Sequence, residues 1–156
     1  MEVKKVRPDE PDGDTYARVV DMGTKGLYSL PMPDIILVIA AGGLGSALRY
    51  VVSLSANRLI GPSFPWGTLI VNLAGCLAIG FAAGLVDRSI LPRAWRLAVI
   101  TGFLGGFTTF STFSLESLRL ILDGAVFRGL ANIGINLLGG LALAALGLRM
   151  AARFGR

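Results

Sequence analysis

Four apolar runs, at residues 35–54, 67–86, 97–122 and 127–148, occupy most of this 156-residue chain and carry almost no charge. A helix needs about 20 predominantly apolar residues to cross the hydrocarbon core of a bilayer. Only a helix or a closed barrel can satisfy every backbone polar group there. The connections are short: GPSFPW before the second run, DRSILPRAWR before the third, DGAVFR before the fourth. Closely spaced runs joined by Pro- and Gly-bearing turns predict an all-α integral membrane protein with four transmembrane helices. The composition agrees: 53% of residues are hydrophobic without counting glycine, and mean hydropathy is +0.66. Ordinary soluble domains reach about 45–50% with glycine included.

Charge is unevenly distributed. The first 34 residues hold seven acids and five bases, whereas the remaining 122 hold three acids and ten arginines. Residues 1–33 are polar, end in Pro-Met-Pro and lack an apolar core, which predicts a weakly ordered or disordered N-terminal extension. They do not form a signal peptide, because no apolar segment follows their basic start. Met32, directly before the first run, offers an alternative start. Residues 34–150 then form the membrane domain and 151–156 a basic tail. The arginines flank the spans, and no soluble domain remains to present a basic face to nucleic acid. With four spans both termini share a side. That side carries Arg88, Arg93, Arg96, Arg149, Arg153 and Arg156 against Arg58, Arg119 and Arg128 opposite, a modest bias toward termini inside.

Histidine is absent and the one cysteine, Cys76, lies in an apolar run. With no proton-shuttling imidazole, no paired carboxylates and no phosphate-cradling loop, nothing points to an enzyme.

The polar groups inside the spans carry the functional information. Thr68 and Asn72 share one face of the second span, continued by Gly75 and Cys76; Asn132 and Asn136 repeat the four-residue spacing in the fourth. A carboxamide in hydrocarbon is costly unless hydrogen-bonded, so these amides face the bundle, as interhelical glue or as the lining of a path. Small residues at Gly80–Gly84 and Gly102–Gly106 fit close helix packing. In the third span, GGFTTFSTF (105–113) sets Thr108, Thr109, Ser111 and Thr112 among Phe107, Phe110 and Phe113. A glycine pair followed by β-branched residues predicts a break near the middle of this helix. Inside a membrane a break is tolerated only where protein or water covers it, and it frees backbone groups of the kind that bind ions. Cation paths usually show acidic rings, yet Glu116 is the only acid in any span and lies near an end. Hydroxyls, amides and the positive edges of aromatic rings suit a small anion. These residues do not say which anion.

GGLGSALRY (42–50), GTLIVNLAGC (67–76) and GGFTTFSTFSLE (105–116) closely resemble, in order, the signatures of the Fluc/CrcB fluoride channels, over about residues 33–150. The resemblance implies a multi-pass plasma-membrane protein of bacterial or archaeal type. It would pair antiparallel, with dual topology, into a dimer with two pores through which toxic fluoride leaves the cytoplasm passively. It implies a pore lined by the Asn72 amide, the ring edges of Phe110 and Phe113, and the neighbouring hydroxyls of Ser111 and Thr112. It places a structural sodium ion at the dimer centre, held by the backbone carbonyls of Gly105 and Thr108; Thr109 is a further candidate residue of the site. Arg49 matches the family's first-span arginine and Glu116 the acid beyond the phenylalanines. Asn136 departs from the pattern, standing where a small hydroxyl is common in a polar track, with Asn132 at a more variable position one turn earlier. The partner would be a second copy in the opposite orientation or an oppositely oriented paralogous subunit. Two readings compete: a small dual-topology proton-coupled multidrug exporter, which needs an intramembrane carboxylate, and an accessory membrane subunit whose asparagines are only glue.

Overall fold

In the computed structural model, residues 32–87 and 92–154 are described. The expected N-terminal extension therefore lies outside the described residues except for its last two positions, as do Arg88 and Arg156. Contacts divide the chain into residues 1–35 and 36–156; of the first unit, 32–35 are described and form a helical turn. The protein is all-helical among the described residues. Its four membrane-length helices are α1 (Met32–Ile60), α2 (Trp66–Asp87), α3 (Ala94–Leu122) and α4 (Val126–Ala151).

Helix α1 is longer at both ends than its apolar run. Pro33 and Asp34 occupy the first turn, where a missing N–H costs nothing and an acid complements the helix dipole. The C-terminal turns continue through Ala56, Asn57 and Arg58, whose cation suits the carbonyl end. Gly61 stops the helix at φ +98°, its N–H returning to the Asn57 carbonyl at 3.2 Å. Arg49 does not interrupt the helix.

Backbone-to-backbone packing of small residues joins the helices. A Cβ at Gly80 of α2 would strike the Ala144 carbonyl of α4, and one at Gly147 would strike the Leu77 carbonyl and lie 2.6 Å from the Phe81 nitrogen. A Cβ at Gly84 would lie 2.6 Å from the Ala151 methyl, so α2 and the second half of α4 lie in direct contact along their length. Helices α1 and α3 use the same device: Gly106 faces the Gly42 carbonyl, and Gly45 the Phe103 carbonyl. With no hydrophobic drive between helices in lipid, such close approach supplies the dispersion contacts that hold a bundle together. Large apolar side chains such as Leu59, Leu122, Phe127, Leu138 and Leu141 point outward, as lipid-facing residues do.

Helix α3 is broken, two residues beyond the glycine pair. It begins with widened π turns over Leu97–Leu104 and stays helical through Gly105–Phe107. Thr108 (φ −81°, ψ 158°) and Thr109 (φ −150°, ψ 114°) are extended. The helix resumes over Phe110–Leu122 with Thr109 as its N-cap, its Oγ1 accepting the Thr112 N–H at 3.3 Å. The glycines do not themselves unwind: Gly106 packs helical against Gly42 of α1, and the extended residues are the β-branched pair Thr108 and Thr109.

Candidate functional site

The break is held open by α2. Asn72 Nδ2 donates to the Thr109 carbonyl at 3.2 Å, and the Thr109 N–H donates to Asn72 Oδ1 at 2.9 Å. An extended residue points its N–H and C=O the same way, so one carboxamide answers both. Asn72 also donates to Asn136 Oδ1 of α4 at 3.0 Å. Asn136 donates in turn to the carbonyl and the Oδ1 of Asn132, each at 3.0 Å. Asn132, fully buried, donates to Ser117 Oγ at 2.8 Å, and Ser117 donates to the Phe113 carbonyl at 2.8 Å. The amides are thus one connected chain across three helices.

Asn72, Asn136, Thr108, Thr109, Phe110 and Phe113 line one cleft of about 250 Å³. It carries no carboxylate and has Gly75 and Cys76 in its wall. The two rings stand 5.5 Å apart at 59°, Phe113 buried and Phe110 74% exposed. They also wall a second cleft of about 330 Å³, lined by Ser114 and Ser117. Thr109 opens on the other side to a third cleft of about 250 Å³ with Thr112, Arg49, Ser46, Ser53 and Thr68. Thr109 thus borders the first and third clefts, and the phenylalanine pair borders the first and second.

Arg49 Nε donates to the Gly106 carbonyl at 3.1 Å, where the Ser46 hydroxyl also donates at 3.3 Å. The guanidinium thus answers a carbonyl close to the break. Two further carbonyls lose the amides they would meet four residues on in a continuous helix. The Thr109 N–H serves Asn72 rather than Gly105, and the Thr112 N–H serves Thr109 Oγ1 rather than Thr108. Among the described residues no group of three His, Cys, Asp or Glu side chains is placed to hold a metal.

Not every expected residue joins the cleft. Ser111 is exposed, 3.4 Å from the Thr109 hydroxyl, and Thr112 sits on the Arg49 side. Glu116 takes a hydrogen bond from Thr68 and lies in a separate cleft with Asn57, Arg119 and Asp123; its Oε2 is buried without a partner among the described residues. Ser117, which terminates the amide chain, was not singled out in the sequence. Its signal was available: Phe110, Phe113 and Ser117 fall on one helical face.

Four apolar helices, a broken third and a carboxylate-free cleft of amides and ring edges define a multi-pass membrane protein of the ion-channel class. The chain belongs to the CrcB family: the family described as "CrcB-like protein, Camphor Resistance (CrcB)" matches residues 36–148. A protein of Rhizobium etli (strain ATCC 51251) named "Fluoride-specific ion channel FluC" is 48% identical over 124 residues, covering 79% of this chain and 92% of that protein. A FluC of Methylobacterium sp. (strain 4-46) is 46% identical over 125 residues, 80% of this chain and 100% of its own length. "Fluoride-specific ion channel FluC 1" of Nitrobacter hamburgensis is 56% identical over 93 residues, 58% of this chain and 74% of that protein.

Proposed function

We propose that this chain is a fluoride-specific passive ion channel of the cell membrane that lets fluoride out of the cytoplasm. The observation that carries this is the cleft at the α3 break, where amide, hydroxyl and ring-edge donors converge without any carboxylate. Fluoride is small and strongly hydrated, so its water must be replaced by close donors. Asn72 supplies an amide hydrogen, and Phe110 and Phe113 supply the positive edges of their quadrupoles. Arg49 in the adjoining cleft favours entry of an anion without sitting among the rings, where a fixed charge would trap it. Ser111 and Thr112 add hydroxyls beside the break, and Asn136 and Asn132 continue the polar track. Chloride, being larger, would fit this narrow path poorly.

An antiparallel homodimer is the assembly we favour. In support, Gly105, Phe110 and Ser111 are exposed at the break, which leaves the path open on one side of a single subunit. A second copy in the opposite orientation would close it. An oppositely oriented paralogue would serve equally, and the arginine bias leaves room for one. The carbonyls of Gly105 and Thr108, deprived of their usual amide donors, fit oxygen ligation of a hard cation such as sodium. Such an ion would supply a positive charge that locks two breaks together. The exporter reading gains nothing, because Glu116 does not line the cleft of Asn72.

The test is release of fluoride, read by an ion electrode, from liposomes holding the purified protein alone, with chloride as control. Fast fluoride loss with negligible chloride loss supports the reading. No fluoride loss from folded protein, alone and with an oppositely oriented paralogue, ends it.

A further inference from the structure

The direction of every hydrogen bond in the amide chain follows from its two ends. The Thr109 N–H can only donate, and the Phe113 carbonyl can only accept. Since Ser117 must donate to Phe113, its oxygen is left to accept from the Asn132 NH₂. That turns Asn132 Oδ1 toward Asn136, whose NH₂ must face it. The Asn136 oxygen is then directed at Asn72, whose NH₂ must face Asn136. The Asn72 oxygen meets the Thr109 N–H, as the other end of the chain requires. Flipping any one amide would set donor against donor and acceptor against acceptor.

Two consequences concern Asn72 and Asn136. Both amide hydrogens of Asn72 are engaged, one by the Thr109 carbonyl at 3.2 Å and one by Asn136 Oδ1 at 3.0 Å. Asn136 can offer no hydrogen in exchange, because both of its own go to Asn132. An anion reaching Asn72 must take a hydrogen from an acceptor that is already in place. The Thr109 carbonyl cannot yield without loosening the break itself. The hydrogen shared with Asn136 can be given up while Thr109 keeps Asn72 in position.

We infer that Asn136 is a positioning residue: its side-chain oxygen competes with the passing ion for one amide hydrogen of Asn72, and so weakens fluoride binding beside Asn72 and sets its affinity. This rests on the fluoride-channel reading above, and it changes the part Asn136 plays there, from a donor to the ion into a rival acceptor. Weak binding serves conduction, since an ion held too tightly does not leave.

Asn136→Ser tests this. A serine oxygen is too close to the backbone to reach Asn72, but its hydroxyl can return to the Asn132 carbonyl, preserving part of the local bonding. The fluoride concentration giving half-maximal flux should fall about three- to tenfold, the fold-change expected when a typical buried hydrogen bond no longer competes. Maximal flux should not rise in proportion. In detergent, the onset of thermal stabilisation by fluoride should move to lower concentration by the same factor, which reads binding without conduction. A purely structural loss would lower yield or maximal flux and leave both concentrations unmoved. Asn136→Thr, which fills more of the vacated volume, repeats the test should the serine variant fold poorly. An unchanged or raised half-maximal concentration in a folded variant, beside a conducting wild type, overturns this inference alone. A wild type that neither releases fluoride nor is stabilised by it overturns the channel reading and this one with it.

Discussion

Asn72 and Thr109 form a two-point clamp between α2 and α3, with the N–H to Oδ1 bond at 2.9 Å and the Nδ2 to carbonyl bond at 3.2 Å. In hydrocarbon each of these backbone groups would otherwise lack a partner, at a cost of several kcal/mol. The side chain that faces the cleft is therefore also the one that makes the break tolerable. Loss of Asn72 acts on structure and on conduction together.

Asn72→Asp separates the two effects poorly but predicts a clear result. The carboxylate still accepts from the Thr109 N–H, yet it opposes the Thr109 carbonyl and Asn136 Oδ1 with a third acceptor. Its charge also repels an anion. Fluoride efflux from proteoliposomes should fall at least about a hundredfold, consistent with several kcal/mol lost at one half-buried polar site. Wild-type efflux from this variant would show that Asn72 does not face the ion.

Phe110→Ile and Phe113→Ile should each cut fluoride efflux at least about tenfold, since an aliphatic side chain has no positive ring edge. The two differ in stability. Phe113 is buried within the subunit, so its replacement should lower the melting temperature more than that of Phe110, which is exposed in the single subunit. Equal flux from wild type and both variants would remove the rings from the path.

Gly80→Val should prevent assembly of the bundle rather than alter selectivity. The new Cβ meets the Ala144 carbonyl, a backbone atom with no rotamer to escape into. Overpacking of this kind costs about 1–3 kcal/mol and occasionally more. Size-exclusion profile and thermal melt in detergent would read it; a monodisperse peak melting with wild type would contradict the close α2–α4 contact.

Exchange of sodium for a large organic cation throughout purification should lower the melting temperature of the assembled protein and slow fluoride efflux, with recovery on adding sodium back. Insensitivity of both to sodium would leave the carbonyls of Gly105 and Thr108 without the proposed ion.

The four spans were legible because apolar length is a one-dimensional property. Their ends were less so: residues 55–60 look like loop by polarity, yet they continue α1 as a helix to Gly61. The glycine pair and two threonines announced a break in α3. Its place at Thr108 and Thr109, beyond a Gly106 that packs helical against Gly42 64 residues away, needed the packed structure. Asn72, Asn132 and Asn136 were visible as polar groups in apolar runs, but helical periodicity does not set how one helix is rotated toward another. Their connection, and the closing role of Ser117, needed the packed structure. Arg49 was legible only as the match to a first-span arginine, whereas the packed structure shows its guanidinium answering the Gly106 carbonyl.

The clamp on Thr109 has a consequence for how the molecule is made. The extended pair in α3 owes its conformation to a side chain on α2, so it is a tertiary feature placed inside a secondary-structure element. Inserted alone, α3 has no such partner, and the membrane would drive residues 108–109 to close the helix on its own amides. An isolated α3 would on this ground be an uninterrupted rod, its break opening only where a neighbouring helix docks and trades those internal bonds for its own.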